Sequence, residues 1–276
     1  MMMSDKQRTV ICYGDGGLDG KIPFMDLYVL AQSGKKLPKV CFFGTASGDN
    51  MGQTKYFERL FERYPCVTSS LSLFNPHTAD IEDFIMSKDV IIVGGGHSKS
   101  MLILWKGYGL DHMLRSAYEN GTVLSGGSAG SVCWFDQCIT DSIPGRLSVM
   151  DCLGILPYSN CPHFASETRR DAYGYFVSTG QIKGGYAADD HAALHFVDGK
   201  LFRSVSNRPY AKTYKVEMQN GKLVQKRLRT KWLGLKENQD AFIFNSPMFE
   251  QEPEPKADVP ALPAASESSI PIDIAP

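Results

Sequence analysis

The run Thr122-Val123-Leu124-Ser125-Gly126-Gly127-Ser128-Ala129-Gly130-Ser131-Val132 enters as an apolar segment and turns through Gly-x-Ser-x-Gly (Gly126, Ser128, Gly130). It leaves through small residues into a second apolar segment. This is the strand, sharp turn and helix layout of a nucleophile elbow. Side chains at Gly126 and Gly130 would collide with the adjoining strand and helix, so the strained turn requires glycine there. The turn lifts the Ser128 hydroxyl above the sheet, and the helix that follows aims free N–H groups at the same point. The same residues also fit a plain glycine-rich connection with Ser128 as an N-cap. The flanking chain separates the two readings.

Upstream, short apolar runs alternate with helical patterns. Thr9–Tyr13 reads as a buried strand ended by Gly14–Gly17, and residues 22–32 read as a helix. Lys39–Phe43 is a second strand, followed by the loop Gly44–Asp49 and an amphipathic helix over 51–64. Val67–Phe74 is a third strand, 79–86 a short helix, and Asp89–Val93 a fourth strand ending in Gly94-Gly95-Gly96-His97. Helices over 99–106 and 110–119 then lead to the Ser128 strand. Strand alternating with helix implies an α/β fold with a mostly parallel sheet flanked by helices. Such sheets bind ligands beyond the C-terminal ends of their strands, where these small-residue loops collect.

Downstream the pattern changes. Asp136–Ile155 reads as loop-rich, and Leu156–Phe164 as a strand running into a loop. Glu167–Ser178 reads as a helix with Ser166 placed to cap it. Gly185–Val197 contains an alternating strand that Asp189 and Asp190 open, their side chains on opposite faces. Leu201–Val205, Ala211–Met218 and Lys222–Leu228 continue an antiparallel β extension, with hairpin signals at Asp198-Gly199 and Asn220-Gly221. Residues 1–249 thus read as one α/β domain. Residues 250–276, rich in Pro, Ala, Glu and Ser, read as a disordered tail.

A formal net charge of −1 gives no field favouring nucleic acid or an anionic membrane. No apolar run approaches the ~18 residues of a membrane span. The polar start, Met1–Arg8, lacks the apolar core of a secretory signal. The seven cysteines are scattered and form no C-x-x-C pair, which points away from a zinc site or a disulfide framework. The expected location is the cytoplasm.

A serine nucleophile needs a base, and the base needs an orienting acid. His163, in a loop after an extended segment, is the favoured base, with His97 and His191 as competitors. His195 lies within an apolar strand and reads as a buried hydrogen-bonding residue. For the acid, Asp189 and Asp190 compete with Asp141. The Gly94–Gly96 loop and the N–H of Ala129 are candidate oxyanion donors. Arg169 and Arg170 follow His163 closely enough for a guanidinium to fork onto a substrate carboxylate. His97, at the end of the strand beside Ser128, is a candidate pocket residue.

Three motifs in order carry a family resemblance: Gly94-Gly95-Gly96, then Gly127-Ser128-Ala129-Gly130, then Pro162-His163-Phe164 followed by Glu167-Thr168-Arg169. Together they resemble the peptidase E (aspartyl dipeptidase) and cyanophycinase family of serine peptidases, over about residues 9 to 210. The resemblance implies a class I glutamine amidotransferase-like, flavodoxin-like fold. It implies Ser128 as nucleophile, His163 as base, and oxyanion donors at Gly95 or Gly96 and at Ala129. Arg169 matches the arginine linked with the acidic side chain of the substrate. Asp190 matches a cyanophycinase glutamate, and Asp141 matches an aspartate considered in peptidase E. The implied activity is hydrolysis of small acidic peptides, dipeptides with an N-terminal aspartate, through an acyl-enzyme. No cofactor is implied, and the chain would act as a monomer or homodimer. His97 stands where peptidase E has asparagine. The competing classes are an α/β-hydrolase-type esterase, whose order is Ser, acid, His, and a non-catalytic amidotransferase-like binding domain.

Overall fold

The computed structural model describes residues 6–16 and 24–249. The tail expected over 250–276, the last residue of the Gly14–Gly17 turn and the start of the 22–32 helix lie outside them. In chain order the elements are β1 (Thr9–Tyr13), α1 (Phe24–Ala31), β2 (Lys39–Phe43), α2 (Met51–Phe61), β3 (Val67–Leu71), α3 (Ile81–Met86) and β4 (Val90–Val93). There follow α4 (Ser98–Gly107), α5 (Leu110–Glu119), β5 (Val123–Gly127), α6 (Ala129–Val132), β6 (Phe135–Thr140), β7 (Ser148–Asp151) and β8 (Leu156–Cys161). The remainder comprises α7 (Glu167–Ser178), β9 (Gly185–Ala188), β10 (Ala192–Val197), β11 (Lys200–Ser206), β12 (Thr213–Gln219), β13 (Lys222–Arg227), β14 (Thr230–Trp232) and α8 (Lys236–Gln239).

The strands form two sheets. The first runs β14-β11-β10-β1-β5-β4-β2-β3, and its β1-β5-β4-β2-β3 part is parallel throughout. Successive residues of these strands feed opposite faces. Val10, Cys12, Ile91, Val93 and Leu124 pack with Met101 and Trp105 of α4 and Leu110 and Leu114 of α5. Ile11, Tyr13, Val40, Phe42 and Ile92 pack with α1 and with Phe57, Leu60 and Phe61 of α2. Burial on both faces explains why these strands read as unbroken apolar runs. Cys12 and Cys41 are free thiols within this core. The helices end where local chemistry says they should. The Asn50 side chain accepts from the N–H groups of Gly52 and Gln53 to start α2, and Asp80 does the same for α3 through Asp83.

The second sheet runs β13-β12-β9-β8-β6-β7. The sequence pattern anticipates an antiparallel extension, but not a separate sheet with parallel pairs β6-β8 and β8-β9 at its centre. Asp136–Ile155, expected to be loop-rich, supplies β6 and β7 to it, paired antiparallel. Those strands are defined by their partners across the sheet, and a local pattern carries little of that. The run from Gly185 is also two strands. β9 pairs in the second sheet with β8 and β12, whereas β10 pairs in the first with β1 and β11. The chain therefore steps between sheets after β5 and back after β9, and crosses again after β11 and after β13. Ser128 stands at the first step, and Asp189–His191 form the second.

Candidate active site

Ser128 follows β5 with φ 53° and ψ −115°, a conformation side chains rarely adopt. Its N–H donates to the Gly14 carbonyl at 2.9 Å and lies 3.3 Å from that of Tyr13, so the end of β1 holds the elbow. A Cβ on Gly130 would lie 2.1 Å from the Val93 carbonyl oxygen, and one on Gly126 would lie 2.4 Å from that of Gly130. The close approach of β4, β5 and α6 is what demands glycine at both positions.

The Ser128 Oγ lies 2.9 Å from His163 Nε2, and His163 Nδ1 lies 2.7 Å from Asp190 Oδ1. An ionised carboxylate only accepts, so Nδ1 carries the proton toward Asp190 and Nε2 is left to accept from the serine hydroxyl. The His163 hydrogen bond is the main cause holding the Asp190 carboxyl below its ordinary value of 3.8, against the opposing effect of burial. The charge of Arg169 acts in the same direction. His163 itself has φ 55°. Its carbonyl accepts from Ser166 N–H at 3.0 Å, and Phe164 N–H donates to the Ala188 carbonyl at 3.0 Å. The Ser166 side chain, expected to cap α7, makes no capping bond. With Ser128, His163 and His191, three of the six described non-glycine residues at positive φ lie here. Backbone strain thus concentrates where the two sheets meet.

The turn Asp189–His191 between β9 and β10 sets the three side chains apart. Asp189 is buried. Its Oδ2 accepts from Lys212 N–H at 3.0 Å, its own N–H donates to the Lys212 carbonyl at 2.9 Å, and burial raises its carboxyl pKa. Asp190 reaches His163 instead. His191, with φ 67°, donates its N–H to the Asp15 carbonyl at 2.7 Å and packs its ring against Gly16. The competing base His191 is therefore a clasp between this turn and the end of β1, not a partner of Ser128. The expectation that Asp189 and Asp190 face opposite ways holds, but a turn between two strands produces it, not the alternation of one strand. Asp189 and His191 as anchors went unforeseen; their sequence signal is only adjacency to Asp190.

Asp141, the rival acid, is not on the imidazole. Its Oδ2 accepts from Arg169 Nη2 at 2.7 Å. The Arg169 side chain is 14% exposed and that of Asp141 70%. Arg170 turns away, donating to the Ala165 carbonyl at 3.2 Å. His97 heads α4. Its Nδ1 accepts from Ser100 N–H at 3.1 Å, and its Nε2 reaches the Ser142 carbonyl at 2.8 Å. Both ring nitrogens are thus spent inside the protein, so substrate contact through an imidazole nitrogen is not open to it. Nothing local in the sequence marks Ser142, whose carbonyl and hydroxyl tie the β6–β7 hairpin to the head of α4. A Cβ on Gly95 would sit 3.3 Å from Ser128 Cβ, so the Gly94–Gly96 loop borders the hydroxyl. Among the described residues no protein acceptor takes up the N–H groups of Gly95, Gly96 or Ala129. Donors so arranged can serve a developing oxyanion. His195 is buried away from this site against the Tyr28 hydroxyl, 2.6 Å from Nδ1, and burial lowers its pKa to about 3.

An open α/β sheet that presents a serine elbow with a histidine on the hydroxyl has the architecture of a serine hydrolase. The order here, Ser, His, Asp, is not the Ser, acid, His order of the α/β-hydrolases. The model of peptidase family S51 matches residues 11–204, and the chain belongs to that family of serine peptidases, the peptidase E and cyanophycinase family. It is 44% identical over 230 residues to the uncharacterized peptidase YgaJ of Bacillus subtilis (strain 168), covering 82% of this chain and 100% of that one. It is 25% identical over 216 residues to peptidase E of Haemophilus influenzae (strain ATCC 51907 / DSM 11121 / KW20 / Rd), covering 72% and 91%. The fold is shared with the crystal structure of a peptidase from an acI-B1 actinobacterium, at a TM-score of 0.60 and 14% identity over 80% of this chain and 94% of that one. Among the described residues no helix is long and apolar enough to cross a membrane.

Proposed function

We propose that this peptidase hydrolyses small peptides, foremost dipeptides with an N-terminal aspartate, through Ser128, His163 and Asp190 and an acyl-enzyme. The observation that carries the reading is the unbroken hydrogen-bond path from Ser128 Oγ through His163 to Asp190. Ser128 Oγ attacks the scissile carbonyl as His163 Nε2 takes its proton, and Asp190 steadies the imidazolium that forms. The N–H groups of Gly95, Gly96 and Ala129 meet the oxyanion. Collapse of the tetrahedral intermediate breaks the C–N bond, and His163 returns the proton to the departing amine. Water then attacks the acyl ester by the same proton path and frees Ser128. Nucleophile, proton carrier and oxyanion donors all come from the chain, so the scheme calls for no metal or organic cofactor. Arg169 would pair with the substrate's side-chain carboxylate. It is largely buried, and Asp141 takes up one of its five donors.

A fluorophosphonate probe tests the chemistry: it should label Ser128 in the folded protein and fail on His163→Ala. A dipeptide panel differing only at the first residue tests specificity. Asp-Leu should exceed Leu-Leu about tenfold or more in kcat/KM, the scale of one charge-assisted hydrogen bond. Equal rates would remove the role given to Arg169, and absence of labelling would remove the mechanism.

A further inference from the structure

Arg169 does not face the site as a lone cation. Asp141 accepts its Nη2 at 2.7 Å, and that carboxylate is 70% exposed while the guanidinium is 14% exposed. Their neighbours tie both to the surroundings of the Ser128–His163–Asp190 group. Arg169 lies in the first turn of α7, shortly after His163, and its charge is felt at Asp190. Asp141 precedes Ser142, whose carbonyl receives His97 beside the Gly95–Gly96 loop. The pair therefore sets a fixed positive and a fixed negative group side by side near the proposed site. Among the described residues Asp141 Oδ1 takes no hydrogen bond, so the carboxylate retains acceptor capacity.

Resting on the proposed reading, we infer that Asp141 is the receptor for the free α-ammonium group of the substrate, with Arg169 taking the carboxylate. An N-terminal aspartyl residue carries its ammonium and its carboxylate on neighbouring carbons. That pair can lie head to tail against the Arg169–Asp141 pair, so that each charge meets its opposite. A lone arginine would accept any acidic acyl group; the pair selects one that also bears an amine. The other carboxylates of the second crossing are engaged: Asp190 holds His163, and Asp189 is buried on Lys212. Asp15, exposed on the loop after β1, is the remaining rival.

The test compares Asp-Leu with succinyl-Leu, which keeps the carboxylate and lacks only the amine. In the wild type kcat/KM for Asp-Leu should exceed that for succinyl-Leu about tenfold or more, the scale of a hydrogen bond to a charged group. In Asp141→Asn the ratio should fall toward one. A wild-type ratio near one overturns the proposal without any variant. If Asp141 merely positions Arg169, the variant loses rate on both substrates together and the ratio stays; that too overturns it, as does a collapse of the ratio in Asp15→Asn alone. If the wild type hydrolyses neither substrate, the activity proposed above fails and takes this inference with it. Hydrolysis of both without preference refutes the inference alone.

Discussion

Replacing Asp190 by asparagine is the perturbation that bears hardest on the proposed mechanism. The side chain keeps its shape and loses its charge. The oxygen now on His163 Nδ1 at 2.7 Å would become a neutral amide oxygen, or the amide would turn an N–H toward the ring and impose the wrong tautomer. A hydrogen bond to a charged group contributes about 1.5–3 kcal/mol, or roughly ten- to a hundredfold in rate. Where the corresponding aspartate of a serine protease is fully buried, the same substitution costs about ten-thousandfold. Asp190 is 50% exposed, so water screens it and can partly replace it. The expected loss in kcat/KM for Asp-Leu is therefore about ten- to a hundredfold, well short of the buried case. The sign with pH follows from the lowered carboxyl pKa. The ionised form acts in full above the ordinary 3.8, and its contribution disappears only as pH falls through the lower folded value. The deficit of Asp190→Asn should thus be constant from about pH 5 upward. Steady-state kinetics from about pH 5 to 9, with circular dichroism to verify folding, makes the measurement. A loss below about threefold in a folded variant would refute Asp190 as the orienting carboxylate.

Gly130→Ala drives a methyl group to 2.1 Å from the Val93 carbonyl, a backbone atom that cannot swing aside. Urea denaturation should show a loss of about 3 kcal/mol or more, and a variant within about 0.5 kcal/mol of the wild type would refute the packing argument. Ser128→Gly removes the side chain that φ 53° and ψ −115° strain. It should be inactive yet more stable than Ser128→Ala by about 1 kcal/mol or more, and equal melting temperatures would show the elbow to be unstrained. Asp189 has its carboxyl pKa raised by burial, so the favourable state is the protonated one, present below the unfolded value and lost as pH rises through the folded value. Asp189→Asn keeps an acceptor for Lys212 N–H without the charge. Its melting temperature should gain on the wild type between pH 4 and pH 7, and a gap that narrows over that interval would contradict the assignment.

Much of the fold and half of the site are legible in local sequence, and the division has a physical cause. Parallel strands buried on both faces announce themselves as apolar runs, and loops at their C-terminal ends must be small for backbone to approach, so Gly94–Gly96 and Gly126–Gly130 can be read directly. Ser128 is legible because its turn tolerates so few neighbours. The Pro162-His163-Phe164 segment marks a position but not a distance. Its imidazole reaches Ser128 only because β8 lies in a second sheet whose strands pair across long separations, and Phe135–Thr140 carries no pattern that foretells its place beside β8. The carboxylate is the member of the site least marked by local sequence. Asp141 and Asp190 are equally plausible as isolated aspartates, and what separates them is topology. Asp190 sits where the chain crosses back from the second sheet to the first, and Asp141 in the hairpin of the second sheet beside Arg169. Ser128 stands at the outward crossing after β5 and Asp190 at the return crossing after β9, with His163 contributed by the second sheet between them. A local motif can therefore name the serine, but the acid exists as a partner only once these first two crossings are made. Residues such as Asp189 and His191, which bind the return crossing to Lys212 and to the end of β1, bear on the proposed chemistry without ever touching Ser128.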